Sequence, residues 1–173
     1  MTHMMIDTET LGLEIDAPIV QLGYALFDLP GNSCRSNVFH TYPGRRIEMT
    51  FDTLLWWLDQ DDDARRTLTK VSDRISLEDS LIRLSDVHRV ENVECVWSHG
   101  ATFDIPMLEF WCRRFGIKIP WHYRSTRDTR TILWLAGMSH EDIKATVKHS
   151  AEADAVAQAI AVQIAYGRIG RMP

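Results

Sequence analysis

The run Met4-Met5-Ile6-Asp7-Thr8-Glu9-Thr10-Leu11-Gly12 carries apolar residues into two carboxylates one residue apart. Side chains alternate between the faces of a strand, so Asp7 and Glu9 point the same way off one strand end. Two carboxylates held that close repel each other, and a divalent cation bound through oxygen is the ordinary resolution. Gly12 then lets the chain turn away tightly. A D-x-E spacing is common by chance, and a strand followed by a polar turn explains it equally well, so its company decides. That company is Asp104 at or near the N-cap of a helix, and His149 one turn ahead of Asp154 at the start of an alanine-rich helix. Taken singly, Asp104 reads as a helix cap and His149 as a cap or surface residue.

Strands must present the first pair and helix starts the others. After Pro18, the run Ile19-Val20-Gln21-Leu22-Gly23-Tyr24-Ala25-Leu26-Phe27-Asp28 is rich in strand formers and ends in the turn chemistry of Leu29-Pro30-Gly31-Asn32. Val38 to Tyr42 is a third strand stopped by Pro43-Gly44, giving an antiparallel meander with the D-x-E at one end. Gly23, inside the second strand, marks a bulge or a close approach. Phe51 to about Leu58 reads as a helix with Leu54, Leu55 and Leu58 as its buried stripe, Trp56 nearly opposite and Trp57 at the edge. The acidic run Asp59 to Asp63 that follows is a solvated break or the start of a short helix, since consecutive Asp side chains point in different directions.

Ser76 caps an amphipathic helix with Asp79 in the capping-box position and Leu77, Leu81, Leu84 and Val87 or His88 inward. Val93 to Trp97 is a compact apolar strand leading to Phe103-Asp104, and Pro106 sits well at the start of the helix that ends at Gly116. Pro120 to Arg124 reads as extended, and Asp128 as the cap of a helix from Thr129 to Ala136. The last helix continues to about Tyr166, with Ala151, Ala155 and Ala159 spaced for close packing onto a sheet.

Composition bounds the partners. With 173 residues, 45% of them hydrophobic, the chain fits a single α/β domain over 1–173 with a substantial core. A net charge of −5 argues against duplex binding through a broad basic surface, though an acidic, cation-loaded centre can still meet phosphates with a few placed Arg and Lys. Three widely spaced cysteines without a C-x-x-C pair suggest neither a disulfide framework nor a zinc ribbon and fit a reducing cytosol. No apolar run approaches the roughly 18 residues of a membrane span, so a soluble cytoplasmic protein with no membrane partner is expected.

In order and spacing, Asp7-Thr8-Glu9, Phe103-Asp104 and the H-x-A-x-x-D of His149, Ala151 and Asp154 resemble the three motifs of the DEDDh (DnaQ-like) 3′-5′ exonucleases along the whole chain. A closer resemblance is to the phage exonuclease A group and the Rv2179c-like exoribonucleases. It is carried by Trp56-Trp57-Leu58-Asp59-Gln60 followed by Ala64-Arg65, and by Arg127-Asp128-Thr129-Arg130. Gly100 stands where many DEDDh members have an Asn four residues before the second-motif Asp, so no contact of that Asn carries over.

The resemblance implies an RNase H-like fold, a mixed five-stranded sheet whose first three strands are antiparallel, flanked by helices. It implies that Asp7, Glu9, Asp104 and Asp154 hold two divalent ions, Mg²⁺ or Mn²⁺, about 3.5 to 4 Å apart, for an in-line phosphoryl transfer. His149 is then the general base, since imidazole's ordinary pKa lies near neutrality. Thr10 and Leu11 would touch the terminal sugar and base with Phe103, and at least one of Trp56 and Trp57, with Gln60, would contact the terminal nucleotides. The implied substrate is the 3′ end of single-stranded DNA or RNA, or a 3′ overhang, and a homodimer is among the assemblies seen in such relatives.

Two other functions fit the same fold: a nucleic-acid-binding module without catalysis, and a hydrolase of free nucleotides or another phosphodiester. A degenerate binding module would be expected to lack one of the acids, and here all four are present.

Overall fold

The computed structural model describes residues 1–42, 48–69, 72–147 and 149–170. Six strands form one mixed sheet: β1 (Thr2–Thr10), β2 (Ile19–Asp28), β3 (Cys34–Tyr42), β4 (Ile75–Ser76), β5 (Cys95–Ser98) and β6 (Thr126–Asp128), in the order β4-β3-β2-β1-β5-β6. The first three pair antiparallel, whereas β5 runs parallel to β1 and β6 parallel to β5. This is the RNase H-like arrangement, with one strand more than the five expected. The extra pairing comes from β4 and β6, only two and three residues long, which carry no readable alternation. Pro120 to Arg124 is not a strand: Tyr123–Ser125 makes a 3₁₀ turn, and the pairing residues come directly after it. The Pro43-Gly44 stop lies outside the described residues.

The two faces of β1 sort the core. Met4 and Ile6 pack with Leu77, Leu81 and Leu84 of α3 (Leu77–Val90) and with Met107, Leu108 and Cys112 of α4 (Asp104–Arg114). Met5 faces the other way, against Ala155, Ala159 and Val162 of α6 (Ala151–Ile169). Ser76 caps α3 as read, its hydroxyl accepting from the Asp79 N–H at 2.9 Å. Ala151, Ala155 and Ala159 are all fully buried, so the alanine spacing does let α6 lie close on the sheet.

Gly23 marks the closest part of that approach. A Cβ there would fall 2.2 Å from the carbonyl of Ala151, which opens α6, so no other residue lets the helix start at this place on β2. Gln21, two residues earlier on the same face, takes the Ala151 N–H on its Oε1 at 3.1 Å and so satisfies one of the donors left open at a helix start. Gly23 pairs with Asp7 across the sheet, which sets the first turn of α6 against the end of β1.

The helix α1 (Phe51–Asp59) departs from the expected stripe. Leu54, Leu55 and Leu58 are exposed, and Trp57 is the buried residue, packed with Leu11 and Val20. One indole buries more area than a leucine and brings an N–H that needs a partner; here Trp57 Nε1 donates to the Thr10 carbonyl at 3.0 Å. That contact turns the helix away from its leucines. α1 ends where Arg65, on α2 (Asp62–Thr69), donates to the carbonyls of Leu58 and Gln60. Among the described residues, no helix is long and apolar enough to cross a membrane.

Candidate active site

Asp7 and Glu9 leave β1 on the face covered by α6, and Asp154 meets them from the first turns of that helix. One carboxylate oxygen from each of the three lies within 4.8 Å of the others, a set that could share a divalent cation. Asp104 stands one step back. It belongs to α4, on the opposite face, and its Oδ1 accepts from the Thr8 N–H at 3.1 Å and the Thr8 hydroxyl at 2.7 Å. It is the first residue of α4 rather than its cap, since Phe103 is the capping position. Its charge nevertheless bears on both Asp7 and Glu9.

Burial, with the neighbouring charges of Asp104, Glu9 and Asp154, pushes the Asp7 carboxyl well above the usual range, against a hydrogen bond from Gln158. Burial, Asp154 and Asp104 push Glu9 up to about 8. Asp104 is pushed up to about 6 by burial, with the two Thr8 donors opposing. A protein that holds acids this far above their ordinary range stores repulsion that a cation would relieve. The donor set, all carboxylate oxygen, suits Mg²⁺ or Mn²⁺ rather than zinc.

In the unfolded chain these acids lose their protons near pH 4, whereas folded they keep them to about 6 and about 8. The folded state therefore binds more protons across this window, and stability falls as pH rises through it. We expect the melting temperature of the chelator-treated protein to drop from pH 5 to pH 8, and Mg²⁺ or Mn²⁺ to raise it at pH 8 far more than at pH 5. A flat melting profile in chelator would contradict the repulsion described here.

His149 sits at φ +56°, in the left-handed region, just before α6. A non-glycine residue there costs roughly 1–2 kcal/mol, and surrounding contacts must hold it. Asp154 supplies part of the hold: its Oδ2 accepts from the Ser150 N–H at 3.2 Å, and the His149 N–H also bears on this carboxylate. Trp56 supplies another part, its ring meeting the imidazole edge to face at 4.8 Å while itself lying against Trp57 at 4.9 Å. One carboxylate thus serves both the acid cluster and the histidine.

The remaining expected contacts fall unevenly. Phe103 is half-buried beside the core, Thr10 donates its hydroxyl to the Gly12 carbonyl at 2.7 Å, and Leu11 is buried under Trp57. Gln60 reaches back to the Trp56 carbonyl at 2.7 Å, within its own helix end. We expect Trp57→Ala to cost about 3–5 kcal/mol of stability, as large core truncations do. Trp56→Ala should melt close to the parent but turn over more slowly, because its ring is 45% exposed and its main contact is the histidine. Thermal melts beside steady-state rates separate the two; an unfolded Trp56→Ala protein would contradict this division.

Two residues that sequence reading did not single out complete the site. Gln158, one turn past Asp154 on α6, donates to Asp7 Oδ1 at 2.8 Å, and Thr8 holds Asp104. The four-residue spacing from Asp154 was the only available signal for Gln158. Residues that orient ligand carboxylates are typically worth 10- to 100-fold in metal affinity or activity, so Gln158→Ala should raise the metal concentration for half-maximal activity about 10-fold or more. An unchanged metal titration would show that Asp7 is held without it.

The chain belongs to the family described as the 3′-5′ exoribonuclease Rv2179c-like domain, which it matches over residues 2–166. It is also similar to an exodeoxyribonuclease of Enterobacteria phage T4, at 26% identity over 125 residues, 62% of this chain. The match spans about half, 54%, of that relative's length.

Proposed function

We propose that this chain is a metal-dependent 3′-to-5′ exonuclease of the DEDDh type, one domain over 1–173, that releases nucleoside 5′-monophosphates from single strands or 3′ overhangs. The observation that carries the reading is the convergence of Asp7, Glu9 and Asp154 at one strand end, with the backbone of His149 and Ser150 held by the same Asp154. Family membership and the phage relative's name support the reaction class. Asp7, Glu9 and Asp154 would hold the divalent ions, with Asp104 joining from across the strand end. When bound, such ions supply charge stabilisation to the phosphoryl group and to the departing 3′ oxygen.

The side chains do the rest. An imidazole nitrogen of His149 takes the proton of the attacking water, whose oxygen bonds to the terminal phosphorus as the bond to the 3′ oxygen breaks. Trp56 keeps that ring facing the acid cluster, and Asp154 fixes its backbone. Thr10, Leu11 and Phe103, with Trp56 and Gln60, border the place for the terminal nucleotide; Trp57, packed against Leu11, acts by holding Thr10. The cytoplasm, with its reducing conditions, suits three free thiols.

Matched DNA and RNA strands, single-stranded and with 3′ overhangs, incubated with Mg²⁺ or Mn²⁺ and with chelator, test the proposal. Cation-dependent shortening of at least one strand is expected, and the ratio of rates identifies the preferred sugar. Intact strands beside a consumed nucleoside triphosphate would overturn it in favour of a free-nucleotide hydrolase.

A further inference from the structure

A polar hollow opens past the end of β5. It has a volume of about 370 Å³ and is lined by His99, Arg130, Leu133, Met138, Ser139 and His140. Met5 pairs with Trp97 in the parallel register; Asp7 lies two residues further along β1, and His99 directly follows the last residue of β5. The hollow therefore opens at the end of the strand next to β1, the neighbour of the strand end that carries Asp7.

The charges there point inward. His99, Arg130 and His140 all line the hollow, and burial, with the charge of Arg130, lowers the proton affinity of His99 against an opposing pull from Asp128. His99 Nδ1 is buried without a hydrogen-bond partner among the described residues. Arg130 makes no side-chain hydrogen bond or ion pair with a described residue, and its guanidinium fills the space above Gly100: a Cβ there would lie 3.1 Å from its Cζ. Asp128, whose charge also reaches His99, forms no ion pair with Arg130. Asp128 Oδ1 is taken by the N–H groups of Arg130 and Thr131 and Oδ2 by that of Ala101. Asp142 Oδ2 likewise accepts from the Ser139 N–H. In a chain of net charge −5, an arginine left unpaired beside an unpartnered imidazole is a placed anion receptor.

We propose that Arg130, His99 and His140 form a subsite for one backbone phosphate of the substrate strand, separate from the phosphate that is hydrolysed. This rests on the exonuclease reading above. Because the bond cut is the last in the strand, every other phosphate lies on its 5′ side, and the subsite holds the strand by one of the first of these. It grips any sequence, since a phosphate contact carries no base information. It also makes strands bind better than dinucleotides, which have only the scissile phosphate.

The test removes the charge from both partners. A 5′-fluorescein twelve-mer is bound in chelator by the parent, Arg130→Gln and Arg130→Lys proteins, with the linkages upstream of the terminal one replaced one at a time by neutral methylphosphonate. For the parent, replacing a single linkage should weaken binding about tenfold, the worth of one charge-assisted contact. The Arg130→Gln protein should bind the normal strand about tenfold less tightly and lose nothing further at that linkage. Its dependence of log affinity on log salt should be shallower by about 0.7, one single-strand phosphate. Arg130→Lys should keep most of the affinity. Losses that multiply, or equal binding by the parent and Arg130→Gln, would overturn the subsite. Binding is read without hydrolysis, so a strand gripped in this pattern but never shortened would sink the exonuclease reading alone.

Discussion

Replacing Asp7, Glu9 or Asp154 by the corresponding amide is expected to reduce hydrolysis by about 10³-fold or more and to leave the metal-free protein at least as stable. Metal-assisted charge stabilisation is worth several kcal/mol, and each 1.36 kcal/mol is a factor of ten in rate. The stability gain has a separate origin. Asp7 and Glu9 are buried among like charges, and an amide of the same shape removes a repulsive partner. Asp7→Asn also keeps an oxygen to accept from Gln158. In chelator at pH 8 the variants should therefore melt at or above the parent temperature while the stabilisation by Mg²⁺ disappears. Asp104→Asn should be the least stable of the four, because its carboxylate accepts both Thr8 donors. An Asp154→Asn enzyme with parental turnover in saturating Mg²⁺ would remove the third acid from the site.

His149→Ala is expected to lower turnover by about 10²- to 10⁴-fold, the usual worth of a general base, with metal stabilisation intact. The acidic limb of the parent's pH–rate profile should vanish in the variant. Free imidazole added to the variant should restore part of the rate. The αL backbone at this residue gives a further handle. His149→Gly relieves that strain, so it should melt higher than His149→Ala while showing the same loss of rate. An unaltered pH limb in either variant would assign the proton to another group.

Much of this site was legible because its parts sit on strongly patterned elements. The D-x-E at the end of β1, the alanine spacing of α6, the Ser76 cap and the glycine inside β2 each carry a local signal, and each stands where it was read. What escaped was set by partners distant in sequence. The Thr8 bond to Asp104 spans 96 residues and the Gln158 bond to Asp7 spans 151, and neither end shows in its own neighbourhood. The rotation of α1 escaped for a related reason. Its leucines make a better apolar stripe than its tryptophan, but the Thr10 carbonyl offers the indole a partner that no leucine can use. The strands β4 and β6 exist only through pairing with longer neighbours.

The central claim, that the acids and histidine at the end of β1 hydrolyse the last phosphodiester of a strand, is tested most directly by polarity and product. A 5′-labelled single strand is incubated with the protein and Mg²⁺ or Mn²⁺, with the mononucleotides identified by mass. A labelled ladder shortening one nucleotide at a time is expected, with nucleoside 5′-monophosphates as product. Early release of the label as a mononucleotide, or nucleoside 3′-monophosphates as product, would contradict it.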